Sequence, residues 1–138
     1  MKRINLFLLI LMIVAALQLA ACGPNSTPVE KINPSTLEKI EGSDLQRVIL
    51  TEKAAERIGL QTVPVSGQVV PYSAVIYDTE GNTWIYTNPA PLTFVRAPIV
   101  IDRIEGDQAF LSQALESDAP IVTVGVAEIY GAETGVSK

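Results

Sequence analysis

The chain has 138 residues, with 10 basic and 15 acidic side chains, a formal net charge of −5, no histidine and one cysteine. That length suits one domain, the acidity argues against a nucleic-acid partner, and a lone cysteine closes no disulfide within the chain. With histidine absent and Cys22 in an apolar leader, imidazole or thiolate metal ligands and Ser-His or Cys-His nucleophilic sets are excluded. Both methionines, Met1 and Met12, lie in the same leader, which leaves no thioether copper site in the remainder. No cofactor and no metal is expected.

In chain order, Lys2 and Arg3 precede an unbroken apolar run from Leu6 to Leu17, which stops at Gln18 and again at Cys22-Gly23-Pro24. A spanning helix needs about 20 apolar residues, so residues 1–21 read as a secretion signal. The end of that segment, Leu19-Ala20-Ala21-Cys22, resembles the lipobox of bacterial lipoproteins. The resemblance implies lipidation of Cys22 and a membrane partner held through covalent lipid, on the extracytoplasmic side of the cell envelope. Loss of Lys2 and Arg3 with the signal leaves 8 basic against 15 acidic residues, a net charge of −7, so charge alone does not attract this protein to anionic lipid. Residues 22–46, rich in Pro, Ser, Thr, Asn and charge, read as the lipidated cysteine and a flexible tether. A capping box at Ser35-Thr36-Leu37-Glu38 allows one short, frayed helix there.

The folded domain is expected over residues 47–138. Arg47 to Leu50 reads as a strand, Thr51 as an N-cap, Glu52 to Ile58 as a two-turn helix with Ala54, Ala55 and Ile58 inward, and Gly59 as its stop. Leu60 to Val65 alternates as a strand does, with Pro64 marking an edge or a bulge. Ser66-Gly67-Gln68 makes a turn before the strongest local signal, a hairpin of Ala74–Tyr77 against Thr83–Tyr86 about an Asp78-to-Asn82 turn. Its expected faces set Ala74 and Ile76 with Thr83 and Ile85, and Val75 and Tyr77 with Trp84 and Tyr86. Pro89-Ala90-Pro91 breaks that ladder, Leu92 to Arg103 reads as one long extended run, and Pro98 marks an edge or a bulge within it. Gly106-Asp107 turns the chain into a strand from Gln108 to Ser112, and Ile121 to Val126 forms another strand before a close without an assigned element. The sum is a mostly-β fold, a small barrel or β-roll of about six to eight short strands with one short helix.

Candidate chemistry is sparse. Asp78 with Glu80, and Asp102 with Glu105 and Asp107, are the carboxylate groupings open to acid–base or hard-cation chemistry, but each sits where a turn already calls for Asp and Gly. Tyr72, Tyr77, Trp84, Tyr86 and Phe94 read as core and cross-strand pairs before they read as a pocket. The candidate partner-binding surface is the stretch Pro89 to Arg96, through Leu92, Phe94 and Arg96.

The runs Val70-Pro71-Tyr72-Ser73-Ala74-Val75-Ile76-Tyr77-Asp78 and Gly81-Asn82-Thr83-Trp84-Ile85-Tyr86, followed by Phe94 to Ile99 and Ile121-Val122-Thr123-Val124-Gly125, resemble the membrane-proximal C-terminal region of periplasmic adaptor (membrane fusion) proteins of resistance-nodulation-division efflux pumps. Thr51 to Thr62 is similar to the segment with which many such adaptors begin. In that family a helical hairpin and a lipoyl-like domain separate the two regions, whereas here only Ser66-Gly67-Gln68 joins them. The resemblance implies an interaction or accessory module beside a transporter or a full-length adaptor, ranked ahead of a small-ligand-binding lipoprotein and then of a hydrolase. No catalytic residue is assigned.

Overall fold

The computed structural model describes residues 33–65, 67–115 and 117–135. These residues are mostly β, with ten strands in two sheets and two α-helices among them. The mostly-β expectation therefore holds, while the sheets form a sandwich-like arrangement and not a closed barrel.

The larger sheet runs in the order β1-β2-β7-β6-β10-β3, with β5 also paired to β6. Its first hairpin joins β1 (Ser35–Lys39) to β2 (Gln46–Leu50), from Ser35 opposite Leu50 to Lys39 opposite Gln46. Residues 35–39 were expected in the tether, or in a frayed helix, and are instead an edge strand. A single helical turn is marginal in water, whereas pairing with β2 bonds the inward-facing backbone groups along the whole segment. The Thr51 amide bonds the Pro34 carbonyl at 3.0 Å, holding the entry of the chain at the next element. Helix α1 (Glu52–Ile58) follows: Thr51 Oγ1 accepts the Ala54 amide at 3.2 Å, and Gly59, at φ 62°, closes the other end. Both caps stand where the residue types put them.

Strand β3 (Gln61–Val63) is the opposite edge of this sheet, with Pro64 just beyond it. After β4 (Val69–Pro71), Tyr72–Ala74 forms a 3₁₀ turn, so only Ile76–Tyr77 (β5) reaches the central strand β6 (Thr83–Ala90). Ile76 lies opposite Trp84 and Tyr77 opposite Thr83. The hairpin thus forms with a register one residue away from the expected one, and a one-residue slip exchanges faces. The loop decides it. Asp78 donates its amide to the Asn82 carbonyl at 3.0 Å, and its Oδ1 accepts the Glu80 and Asn82 amides at 2.9 and 2.8 Å. Closing the loop on Asp78 and Asn82 commits the residues beyond it, so Ile76 joins Trp84 and Tyr86 on one face while Ala74 and Ile85 serve the other.

Strand β7 (Thr93–Ile99) pairs with β6 along its length and with β2 only at Thr93 to Val95. Pro98 sits on the half of β7 that β2 does not reach, a local edge where its missing N–H costs no ladder bond. The long run expected from Leu92 to Arg103 is divided at Val100. Beyond that residue β8 (Ile101–Glu105) belongs to the smaller sheet, ordered β4-β9-β8, and turns through Gly106-Asp107 into β9 (Gln108–Leu111). Strand β10 (Ile121–Val124) then fits between β6 and β3, and a second helix, α2 (Val126–Thr134), covers the stretch left without an element in the sequence reading. Its inward residues Val126, Ile129 and Glu133 have helical spacing.

The large sheet is therefore covered on both faces. Val48, Leu50, Ile76, Tyr86, Phe94 and Val122 meet Ala55, Val126 and Ile129 of the helices. Ile85, Ile99 and Ile121 meet Val70, Ala109 and Leu111 of the smaller sheet. Each large apolar side chain removed from water contributes about 1.5–3 kcal/mol, which explains why the apolar character of both hairpin faces is tolerated.

Candidate functional site

The densest polar chemistry lies where β6, β7 and α2 meet. Antiparallel pairing puts Tyr86 opposite Arg96 and Trp84 opposite Pro98, so Trp84, Tyr86 and Arg96 project toward the helices. Helix α2 brings Tyr130 and Glu133 down onto them. The Tyr86 hydroxyl donates to Glu133 Oε2, and Arg96 Nη2 lies 3.2 Å from Glu133 Oε1. The Glu133 side chain is 4 % exposed and that of Arg96 17 %. The guanidinium carbon also stands 4.5 Å from the centre of the Trp84 ring and 5.9 Å from that of Tyr130, within cation–π range. On its far side Trp84 Nε1 donates to Asp78 Oδ2 at 2.9 Å.

A continuous chain of contacts therefore runs from the Asp78 turn through Trp84, Arg96 and Glu133 to Tyr86. Hydrogen bonds from Asn82 and then Trp84 hold the Asp78 carboxyl down at about 2. Burial, followed by the bond to Glu133, pushes the Tyr86 phenol well above its ordinary value. A phenol held protonated in this way is neither a base nor a nucleophile at neutral pH. The arrangement positions side chains, Trp84 above all.

Of the residues singled out in the sequence, Cys22 lies outside the described residues. Phe94 is wholly buried in the core between the sheet and the helices, a correction to its place on a contact surface: its side chain is spent on packing. Leu92 is half-buried against the same core and occupies the second position of a Pro91–Leu92 turn at φ 55°. Arg96 is turned inward onto Glu133 and Trp84 and does not project from an exposed strand face. The Asp78–Glu80 grouping closes its own turn, and Asp102 and Glu105 both pair with Arg103, at 3.1 and 2.6 Å. Among the described residues no three acidic, cysteine or histidine side chains converge on one point.

An open cleft of about 670 Å³ runs between the β5–β6 turn and the passage from β7 to β8, with Tyr77, Asn82, Thr83, Trp84, Pro98 and Val100 among its walls. Tyr77 is 48 % exposed and Val100 66 %, an unusual solvent face for two large apolar side chains on one rim. Thr83 Oγ1 donates to the Ile99 carbonyl at 2.6 Å, satisfying a polar group at the floor. The sequence reading missed this site because Pro98 and Val100 reach Trp84 only through the β6–β7 register; an aromatic strand facing a proline-bearing strand was the available signal. A second, strongly apolar groove of about 380 Å³ lies between α1 and α2, walled by Leu50, Ala54, Ile58, Ala127 and Gly131. Among the described residues no helix is long and apolar enough to cross a membrane. No protein-family model, characterised protein or solved structure is significantly similar to this chain.

Proposed function

We propose that this protein is a non-enzymatic interaction module, anchored to a membrane of the cell envelope through lipid on Cys22 and serving as an accessory part of an efflux or transport system. The observation that carries the interaction reading is Trp84, held by Asp78 and by Arg96 beside an open cleft rimmed by the exposed Tyr77 and Val100. An aromatic side chain fixed before a partner arrives loses little conformational freedom on binding, which is the condition under which a few residues dominate an interface. A lipid anchor adds to this by confining the domain to a thin layer, where weak intrinsic affinity suffices. The resemblance of residues 47–133 to the adaptor region supports the surroundings, with a transporter component or a full-length adaptor as the partner. Cross-linking in native membranes, with captured proteins identified, tests the reading: a transport component is expected, and capture of no protein overturns it. Mass spectrometry of the membrane-extracted protein tests the anchor, which fails if the mature N-terminus is anything but a lipidated Cys22.

The groove between α1 and α2 favours a second reading, binding of a small apolar ligand. Retention of a hydrophobic molecule through purification, displaced by Ala54→Trp, would move the weight to it.

A further inference from the structure

We propose that two copies of this chain pair through β1, antiparallel about a two-fold axis at Leu37, to make one continuous sheet across a dimer. The inference goes beyond the accessory role proposed above and does not depend on it. Strand β1 ends the order of the larger sheet, so one of its sides has no neighbouring strand. The bonds around it show which groups that side carries. The Leu50 amide donates to the Leu92 carbonyl at 2.9 Å, toward β7, and the Thr51 amide to the Pro34 carbonyl at 3.0 Å, toward β1. Backbone groups alternate sides along an antiparallel strand, so Ile49 and Arg47 bond Thr36 and Glu38, their register partners. The N–H and C=O groups of Ser35, Leu37 and Lys39 therefore point outward, an open template for another strand.

The other sheet ends are blunted and this one is not. Strand β3 has three residues and runs into Pro64, β4 has three and ends in Pro71, and β8 is bulged between Ile101 and Arg103. Strand β1 pairs in regular register over all five of its residues, with no proline among them. Charged side chains commonly guard an open edge; here they select a register. An axis at Glu38 or at Lys39 sets like charges directly opposite, which is unfavourable. An axis at Leu37 aligns the whole of both strands, Leu37 with Leu37, Thr36 with Glu38 and Ser35 with Lys39, and Glu38 is already met by Arg47 at 3.3 Å. Leu37 is 40 % exposed and lies opposite Val48 of the helix-side core, so the two leucines cover each other on that face. On the same face the second copy's Lys39 comes beside Ser35, which walls one groove together with the exposed Glu128. The two-fold makes that approach of opposite charges twice. A second copy thus satisfies the open backbone, the exposed leucine and the charges together.

The axis sets the test. Residues facing each other in a hydrogen-bonded antiparallel pair have Cα atoms about 5.5 Å apart, within the span of a disulfide, whereas diagonal neighbours stand about 7–8 Å apart. Leu37→Cys, in the full chain in non-ionic detergent, should therefore oxidise to a covalent dimer at least about tenfold faster than Thr36→Cys, whose two copies are diagonal across the axis. The parent chain controls for Cys22, and Val124→Cys, at another exposed apolar position, for random collision. Leu37→Pro deletes an outward N–H and no bond to β2. Sedimentation at about 100 µM protein should show a dimer for the parent and a monomer for this variant, with Trp84 emission unchanged. Equal oxidation at positions 36 and 37, a monomeric parent, or a folded Leu37→Pro that stays dimeric overturns the inference; if Leu37→Pro does not fold, the oxidation rates decide alone. Coupling of Leu37→Cys in membranes to another protein, and not to its own copy, assigns the edge to that partner and overturns the dimer.

Discussion

Replacing Glu133 by alanine should undo the joint between the sheet and helix α2. Glu133 is the acceptor for both the Tyr86 hydroxyl and the Arg96 guanidinium, and its side chain is 4 % exposed. Removing one member of a buried pair costs about 3–5 kcal/mol because the other charge stays behind, and Arg96, 17 % exposed and with a buried Nε that has no partner, retains only partial access to water. The Tyr86 hydroxyl, in a residue with no exposed surface, loses its acceptor, a penalty of about 1–3 kcal/mol. The two losses share one carboxylate and do not add, so about 3–4 kcal/mol is expected. With a urea dependence of roughly 1.5 kcal/mol per molar, the midpoint should fall by roughly 2 M, followed by Trp84 emission on the full chain in mild detergent. The triple variant Tyr86→Phe, Arg96→Met, Glu133→Leu removes every charge at once and should lie within about 1 kcal/mol of the parent or above it. A Glu133→Ala shift below about 0.5 M, or a triple variant as unstable as the single one, would refute the idea that these groups depend on one another.

Three further outcomes follow from the same geometry. The Asp78 carboxyl is held at about 2 against 3.8 when free, so what it contributes is complete above pH 3.8 and lost as pH falls through 2; Trp84 emission should hold between pH 7 and 4 and change below, and Asp78→Asn should abolish that acid transition. The Tyr86 phenol is raised from 10.0, so its contribution is complete below pH 10 and declines above it, where only the unfolded chain ionises; absorbance at 295 nm should show one tyrosine that titrates only with unfolding, and Tyr86→Phe should move that unfolding to higher pH. At Gly125, φ is 92° and an added Cβ would stand 2.9 Å from Ile58 Cδ1 and 3.2 Å from Leu60 Cδ1, so Gly125→Ala should cost about 2 kcal/mol by urea denaturation, from backbone strain and crowding together.

What could be read from the residues was what neighbours in sequence decide. Thr51 and Gly59 bound their helix, and Gly106-Asp107 turned its hairpin, because caps and tight turns are settled within a few residues. The strand at Ser35–Lys39 was missed because its stabilisation comes from β2, and local polarity outweighed that in the sequence. The hairpin was found but its faces were exchanged, since the parity of the register depends on where the Asp78 carboxylate gathers amides and not on the β propensity of either arm. Helix α2 was legible in the spacing of Val126, Ile129 and Glu133, but Gly125 and Gly131 pointed the other way. Reading that stripe would have placed a carboxylate on a buried face and demanded a cation for it. No spacing rule names Arg96 as that cation; the β6–β7 register does. The sequence offers Phe94 both as core and as contact surface and offers Arg96 as an exposed contact for the same reason: on a strand, sequence gives alternation but not which side is covered.

The position of β10 between β6 and β3 carries a consequence for biosynthesis. Bonds between them join residues up to 62 apart, as from Thr123 to Gln61, so at about 5–20 residues per second β3 waits roughly 3–12 s for its neighbour to be translated. Through that interval one side of β6 near Thr87 and the inward face bearing Arg96 have no cover, and an open strand edge invites pairing with other chains. The nascent protein is thus a natural client for holding chaperones until helix α2 emerges. A nonsense codon ahead of Glu133 would remove the piece that locks the sheet, and the whole domain would then fail to mature.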